Sequence, residues 1–282
     1  MPLMPLRDAI AKHVHDGQSV ALEGFTHLIP FAAGHEIIRQ GRKRLHLIRM
    51  TPDLIYDQMI GMGCAERLTF SWGGNPGVGS LHRLRDAIER QWPQPLAITE
   101  RTHAQMAVAY QAGASGVPCG LMRRYAETDL DRSRDSATAS IECPFTGESL
   151  LAVPALNPDV TILHAQQADR AGNVLIRGIV GAAREAALAA RCLLVTVEEA
   201  VERLEAPLNA CVLPQWLIAA VSVVPGGAHP SYAAGCYERD NRFYLEWDAI
   251  SRDRGRFEAW MRDHVLSSAD HAQLLERLGV AA

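Results

Sequence analysis

Leu68-Thr69-Phe70-Ser71-Trp72-Gly73-Gly74-Asn75-Pro76-Gly77-Val78-Gly79-Ser80 runs directly into Leu81-His82-Arg83-Leu84-Arg85-Asp86-Ala87-Ile88-Glu89. A short β-rich run ends in a glycine loop, and the loop opens an amphipathic helix with Leu81, Leu84 and Ile88 at helical spacing. Ser80 is the expected N-cap. A strand, a glycine-rich turn and a helix N-terminus make an anion-binding corner, because bare N–H groups point outward and the helix dipole adds partial positive charge. In an open parallel sheet such a loop lies beyond the carboxyl ends of the strands, where ligands sit. The glycines stand at 73, 74, 77 and 79, which is not the dinucleotide fingerprint, and no Gly-Lys-Ser/Thr follows. Geometry leaves two readings open: ligand contact, or a turn that needs positive φ.

The flanking chain repeats the same strand-to-helix alternation. Leu6, Ile10 and Val14 fit a helix closed by Asp16-Gly17. Ser19-Val20-Ala21-Leu22 reads as a buried strand, with Glu23-Gly24-Phe25-Thr26 as its exit. A helix near 32–39 stops at Gly41, a strand follows at 45–48 and a helix at 53–60. Beyond the glycine corner come a short strand at 96–98 and a helix at 102–111. Residues 123–135 are crowded with charge and read as a surface excursion. A second series starts at Leu150, with strands at 159–164, 173–176, 193–197 and 217–224 and an Ala-rich helix at 181–190. The tail from Asp253 to Leu278 reads as two amphipathic helices. This alternation predicts an α/β fold: an open, largely parallel sheet with helices on both faces. No Pro/Gly/Ser-rich linker divides the chain, so residues 1–282 read as a single domain.

The 282 residues carry a formal net charge of −4, too small to call for nucleic acid or an anionic membrane as partner. No run approaches the ~20 apolar residues of a membrane span, and the N-terminus lacks the apolar core of a signal peptide. The six cysteines form no Cys-x-x-Cys pair, and several sit in apolar runs, as reduced core cysteines do. These features favour a cytoplasmic protein. The eleven histidines are dispersed without metal-ligand spacing, so no metal is expected.

Two carboxylates stand out. Glu23 ends an apolar strand just before Gly24-Phe25, and Glu100 closes another short strand in the same position. A carboxylate there must be solvated, paired or used. Two at parallel-strand exits are suited to acid–base or nucleophilic work, although nothing in their spacing makes them face each other. His229 lies in a Gly/Pro turn after a buried strand, and His164 ends a strand. Both fit a packed histidine as well as a functional one. The residues by themselves reach a cytoplasmic α/β protein with a cleft for a small anion or acyl ligand.

Asp16-Gly17-Gln18-Ser19-Val20-Ala21-Leu22-Glu23-Gly24-Phe25, with Pro30, resembles the signature of the alpha subunit of family I CoA-transferases. The likeness continues through Asn75-Pro76-Gly77-Val78, Cys143-Pro144-Phe145-Thr146-Gly147-Glu148, His164-Ala165-Gln166-Gln167-Ala168-Asp169 with Gly172-Asn173, and Gly227-Ala228-His229-Pro230-Ser231. It spans nearly the whole chain in order, and the glutaconate CoA-transferase branch is the nearest likeness. The resemblance implies the alpha subunit of a heteromeric CoA-transferase, a heterotetramer or larger, that moves CoA from an acyl-CoA to a short carboxylic acid. It implies a nucleophilic glutamate on the partner beta subunit, no bound cofactor, and coenzyme A thioester as substrate. No catalytic residue is then expected in this chain. Gly24, Phe25, Gly74, Asn75, Pro76 and Gly77 are expected to shape the acyl and carboxylate pocket and to offer N–H groups to a developing oxyanion. Few basic residues flank the glycine loop, so the CoA phosphates are expected on the partner.

The chain departs from the family pattern at Glu23, which replaces the first glycine of a Gly-Gly-Phe loop, and at Pro76, where the glutaconate branch has a serine. Some relatives of this family instead hydrolyse or decarboxylate acyl-CoAs with a glutamate of the alpha chain. That alternative makes Glu23 and Glu100 the candidate catalytic residues. A rival of another class is a non-catalytic ligand-sensing protein on the same sheet.

Overall fold

The computed structural model describes residues 3–75, 78–123 and 138–280. Its first half is built from strand–helix units. They are α1 (Leu6–His13), β1 (Ser19–Leu22), α2 (Phe31–Arg39), β2 (Leu45–Ile48), α3 (Leu54–Gly61), β3 (Ala65–Phe70), α4 (His82–Arg90), β4 (Ala97–Glu100) and α5 (His103–Ala114). There follow β5 (Cys119–Arg123), β6 (Ala139–Glu142), β7 (Ser149–Pro154), β8 (Val160–Asp169), β9 (Val174–Ile176), α6 (Ala183–Ala189), β10 (Leu193–Val201), β11 (Cys211–Leu213) and β12 (Ile218–Val223). The C-terminal part holds α7 (Asn241–Ser251), α8 (Arg254–Trp260) with a π-turn at Met261–Leu266, and α9 (His271–Arg277).

Strands β12-β10-β8-β1-β2-β3-β4 lie side by side and all pair in parallel. β9 and β11 join antiparallel at the far end of β8 and complete a nine-stranded sheet. Alternation along β1 shows that both faces are covered: Val20 and Leu22 enter one core cluster and Ala21 another. The first cluster is shared with α2, α3 and the C-terminal helices, the second with α5 and α6. This is the architecture that the hydrophobic alternation predicts. The six cysteines are free. Among the described residues no helix is long and apolar enough to cross a membrane.

The structure adds elements to this reading. β5, β7 and β6 form a separate three-stranded antiparallel sheet, which the charged stretch beside it concealed. The excursion predicted for 123–135 lies, after Arg123, outside the described residues. The strand expected at 217–224 is β12, an edge strand that pairs with β10 alone among the named strands; Ala219 and Val223 are exposed and its other residues are buried. The tail holds the two helices expected of it, α8 and α9, and a further helix, α7, precedes it. Asp240, Asp253 and Asp270 each accept an N–H of the first turn and start α7, α8 and α9 respectively.

The tail is docked by a buried histidine. His271 is 3 % exposed, its Nε2 lies 2.9 Å from the Gly226 carbonyl oxygen, and its ring stacks on that of His35 at 6.0 Å. Burial, with Arg39, His229 and His164 nearby, lowers the His271 pKa to about 4, although its hydrogen bond to Gly226 opposes the shift. Burial and the charge of His271 also hold His35 well below the ordinary value. A histidine with a depressed folded pKa stabilises fully above about 6.5 and loses that contribution as pH falls towards 4. Urea midpoints should therefore drop between pH 6.5 and 4, with about 3 kcal/mol at stake for His271. His271→Gln should be less stable at pH 7 and lose less over the same interval. An unchanged pH slope in the variant would refute the assignment.

Candidate functional site

The chain leaves β1 in one direction, towards β2, β3 and β4, and later returns on the other side of β1 with β8, β10 and β12. The crossover direction therefore reverses between β1 and β8, and the crevice beyond their carboxyl ends is where an open α/β sheet binds ligands. Glu23-Gly24-Phe25 leaves β1 at this point. Its neighbour Arg49 leaves β2 one residue beyond Ile48, the partner of Ala21.

Glu23 is 4 % exposed. Its Oε1 accepts from the Tyr110 hydroxyl at 2.7 Å and from the Met50 N–H at 3.2 Å. Burial pushes its carboxyl above the ordinary range, and Arg49, Tyr110 and the backbone donors pull against that rise. Arg49, 1 % exposed, donates from Nη2 to the Gly24 carbonyl at 2.7 Å and from Nη1 to Asp53 Oδ1 at 3.0 Å. The Tyr56 hydroxyl ties the two strands together, donating to the Ile48 carbonyl at 2.8 Å and accepting from the Leu22 N–H at 3.0 Å. Glu23 thus belongs to a closed polar network behind the loop, with its side chain directed away from solvent.

In front of that network the loop is strained. Thr26 (φ 58°) and Leu28 (φ 52°) are left-handed, costly for residues with a Cβ. The strain is held by Leu28 N–H donating to Tyr232 O at 2.9 Å, Ile29 N–H to Ser231 Oγ at 3.2 Å and Ala234 N–H to His27 Nε2 at 2.9 Å. The N–H groups of Phe25 and Thr26 find no acceptor among the described residues. The Phe25 side chain forms one wall of a cleft of about 470 Å³, with Met50, Ala107, Gln111, Ile179 and Glu185 among the others. Gly181 (φ 55°) closes against Phe25, and a Cβ there would meet Phe25 Cβ at 2.7 Å.

The helix end after the glycine corner departs from the expectation. α4 starts at His82 with Leu81 as N-cap residue, and no side chain of that residue caps it. Ser80 is not the cap. Asp57, fully buried on α3, accepts from the N–H groups of Arg83 and Leu84 at 2.8 and 2.9 Å with a single oxygen. The helix end that looked like an anion site is filled by the protein's own carboxylate. Arg83 is buried against Asp86, and Arg85 pairs with Glu89 on the surface. Of the glycines here that are described, only Gly79 has positive φ. Gly73 and Gly74 instead make room, since a Cβ on Gly74 would meet the Trp72 ring at 2.7 Å. Gly74 N–H donates to Pro52 O at 3.1 Å, which ties the loop to the exit of β2. Asn75 is 2 % exposed, and neither polar atom of its side chain has a partner among the described residues. Pro76 and Gly77 lie outside the described residues.

Glu100 is exposed on β4, three strands from β1 in the sheet, roughly 14 Å at the usual strand spacing. The structure does not bring it to Glu23. His164 lies inside β8, with Nε2 2.5 Å from Glu198 Oε1 and Nδ1 2.8 Å from Thr196 Oγ1. Glu198 also accepts from Tyr237 Oη and Gly226 N–H, both at 2.7 Å. Burial pushes the Glu198 carboxyl up, but these donors outweigh it and hold the group below its ordinary value. His229 bonds Asp240 at 3.1 Å and lines a separate cavity of about 310 Å³ with Glu198 and Cys236. Among the described residues no group of three His, Cys, Asp or Glu side chains is arranged to hold a metal ion.

Sequence reading missed Arg49, Met50, Gln111 and the 179–185 wall. Arg49 carried a signal, a charged residue directly after the apolar Leu47-Ile48. The wall residues carried none, because they come together only through folding. A family model described as coenzyme A transferase matches residues 3–223. The chain is 59 % identical over 276 residues, 98 % of each chain, to the alpha subunit of the 3-oxoadipate CoA-transferase of Pseudomonas knackmussii. It is 33 % identical to the alpha subunit of the glutaconate CoA-transferase of Acidaminococcus fermentans, over 98 % of this chain and 92 % of that one. The crystal structure of the Acidaminococcus fermentans glutaconate enzyme superposes with a TM-score of 0.91 at 31 % identity, covering 99 % of this chain and 93 % of that one.

Proposed function

Because this chain belongs to the coenzyme A transferase family, as an alpha subunit, we propose that it supplies the acyl cleft of a two-subunit enzyme. That enzyme passes CoA between short dicarboxylic acids of the 3-oxoadipate and glutaconate kind. The observation that carries this reading is the strained Gly24-Phe25 loop at the reversal point of the sheet, beside a cleft of about 470 Å³.

The nucleophile is a glutamate of the partner beta subunit. Its carboxylate attacks the thioester carbonyl, the C–S bond breaks, and CoA thiolate leaves an acyl-glutamyl anhydride. The thiolate then attacks the glutamyl carbonyl of the anhydride and releases the acid. The resulting glutamyl-CoA thioester passes CoA to the second carboxylate by the same steps in reverse. Each attack develops negative charge on a carbonyl oxygen, and unpaired N–H groups such as that of Phe25 are suited to receive it. The apolar walls formed by Phe25, Met50 and Ile179 keep water from the anhydride. Gly74 and Asn75 line the adjoining strand exit, where the unpartnered Asn75 carboxamide is suited to a substrate or partner group. Pro76 and Gly77 are assigned to the same loop by sequence. The buried, hydrogen-bonded Glu23 and the exposed, distant Glu100 give no support to a glutamate nucleophile in this chain.

The test uses this chain co-purified with its partner and incubated with CoA thioesters of dicarboxylic and 3-oxo acids. A CoA-sized mass gain on the partner chain is expected, and Glu100→Gln should leave the rate within about twofold, as surface substitutions do. Thioester consumption without an adduct, abolished by Glu100→Gln, would overturn the reading.

A further inference from the structure

We infer that Arg49 is a positioning residue for the transfer chemistry, acting through the carbonyl of Gly24; the inference rests on the functional reading above. Arg49 is 1 % exposed, and its Nε is buried without a partner among the described residues. Packing does not account for such an ion, since an apolar side chain of similar volume would fill the space without desolvating a charge.

What the guanidinium does is hold one peptide plane. The Gly24–Phe25 bond is trans, so the Gly24 C=O and the Phe25 N–H point in opposite directions from the same rigid unit. Nη2 pins that oxygen at 2.7 Å from the inner side. The Phe25 N–H is thereby aimed away from the core, and it is one of the amides left unpaired among the described residues. A cation on the carbonyl also polarises the peptide and strengthens its N–H as a donor. The guanidinium is fixed in turn by Asp53, through Nη1 at 3.0 Å, and lies beside Glu23. Glu23 is anchored by Tyr110 and by the N–H of Met50, a cleft residue. The glutamate that replaces a glycine of the family signature thus belongs to the inner support of the loop. Thr26 and Leu28, strained just beyond, would relax by rotating this peptide if the pin were removed.

The test is steady-state kinetics on the intact complex with its partner. Arg49→Lys keeps the charge but cannot donate from two nitrogens in fixed directions to Gly24 O and Asp53. It should keep most of the melting temperature and lower kcat about tenfold, with KM for the acyl-CoA changed by less than about threefold. The paired change Arg49→Met with Asp53→Asn removes both members of the ion pair, so Asp53 is not left as an unpaired buried carboxylate, while Glu23 keeps Tyr110 and the Met50 N–H as donors. It should show the same fall in kcat. Wild-type kcat in either folded complex would overturn the positioning role. Absence of transfer and of a partner adduct in the wild-type complex would overturn the functional reading itself, which separates the two failures.

Discussion

Gly24→Ala is expected to lower kcat about 100-fold in a complex that still folds and assembles. An added Cβ would lie 2.7 Å from the Leu28 carbonyl oxygen and 2.8 Å from that of His27. Both are backbone atoms and cannot swing aside as the end of a side chain would. The downstream residues are fixed to Tyr232, Ser231 and Ala234, and the upstream carbonyl is fixed to Arg49. The displacement must therefore appear in the Gly24–Phe25 peptide, which moves Phe25 in the cleft and turns its N–H. A shift of about 1 Å in a group that meets the reacting carbonyl costs about two orders of magnitude. Stability should fall by only about 1–3 kcal/mol, the usual cost of a local overpacking. Steady-state kinetics with thermal melting checks the split. A kcat near wild type would show that the loop stands apart from the chemistry.

Asp57→Ala should destabilise the protein by about 2–4 kcal/mol at pH 6, because it leaves two buried N–H groups of α4 without an acceptor. Asp57→Asn keeps the accepting oxygen and should recover most of that loss. The pH dependence is diagnostic. Burial raises the Asp57 pKa to about 7, with the amides of Leu84 and Arg83 and the Arg83 charge opposing it. Its Oδ2 is buried without a partner among the described residues. A carboxyl with a raised folded pKa favours the folded state most below its unfolded value near 3.8, and loses that advantage as pH rises through 7. The stability difference between Asp57→Asn and wild type should therefore move in favour of the variant from pH 4 to pH 8. Denaturant titrations at those pH values measure it, and a constant difference would contradict the buried, proton-holding carboxyl.

The two residues mark the limits of sequence reading. The strands at 19–22, 45–48 and 68–70 were legible because a strand covered on both faces is mostly apolar over a short run, a local property of the chain, whereas the exposed, charged start of β3 at Glu66-Arg67 was not. The Ser80 cap and the free helix end after it were misread for the opposite reason. Whether a helix N-terminus is free depends on what packs against it, and Asp57 comes from a preceding helix, more than twenty residues away. Glu23 looked exposed or catalytic because its partners Arg49 and Tyr110 meet it only across the sheet and its covering helix.

By itself, then, the sequence determined the strand and helix alternation, the parallel sheet it implies, and the family signature around Gly24-Phe25 and Asn75. Each of these is written in residues close together along the chain, through periodicity, turn chemistry or motif. Only the tertiary structure decided that Glu23 is buried and hydrogen-bonded to Tyr110 and the Met50 N–H, that Asp57 closes the α4 N-terminus, and that Met50, Gln111 and Ile179 wall the cleft with Phe25. Those outcomes depend on which distant side chains share a low-dielectric interior. There a charge is stabilised or neutralised by its spatial neighbours and not by its neighbours in sequence.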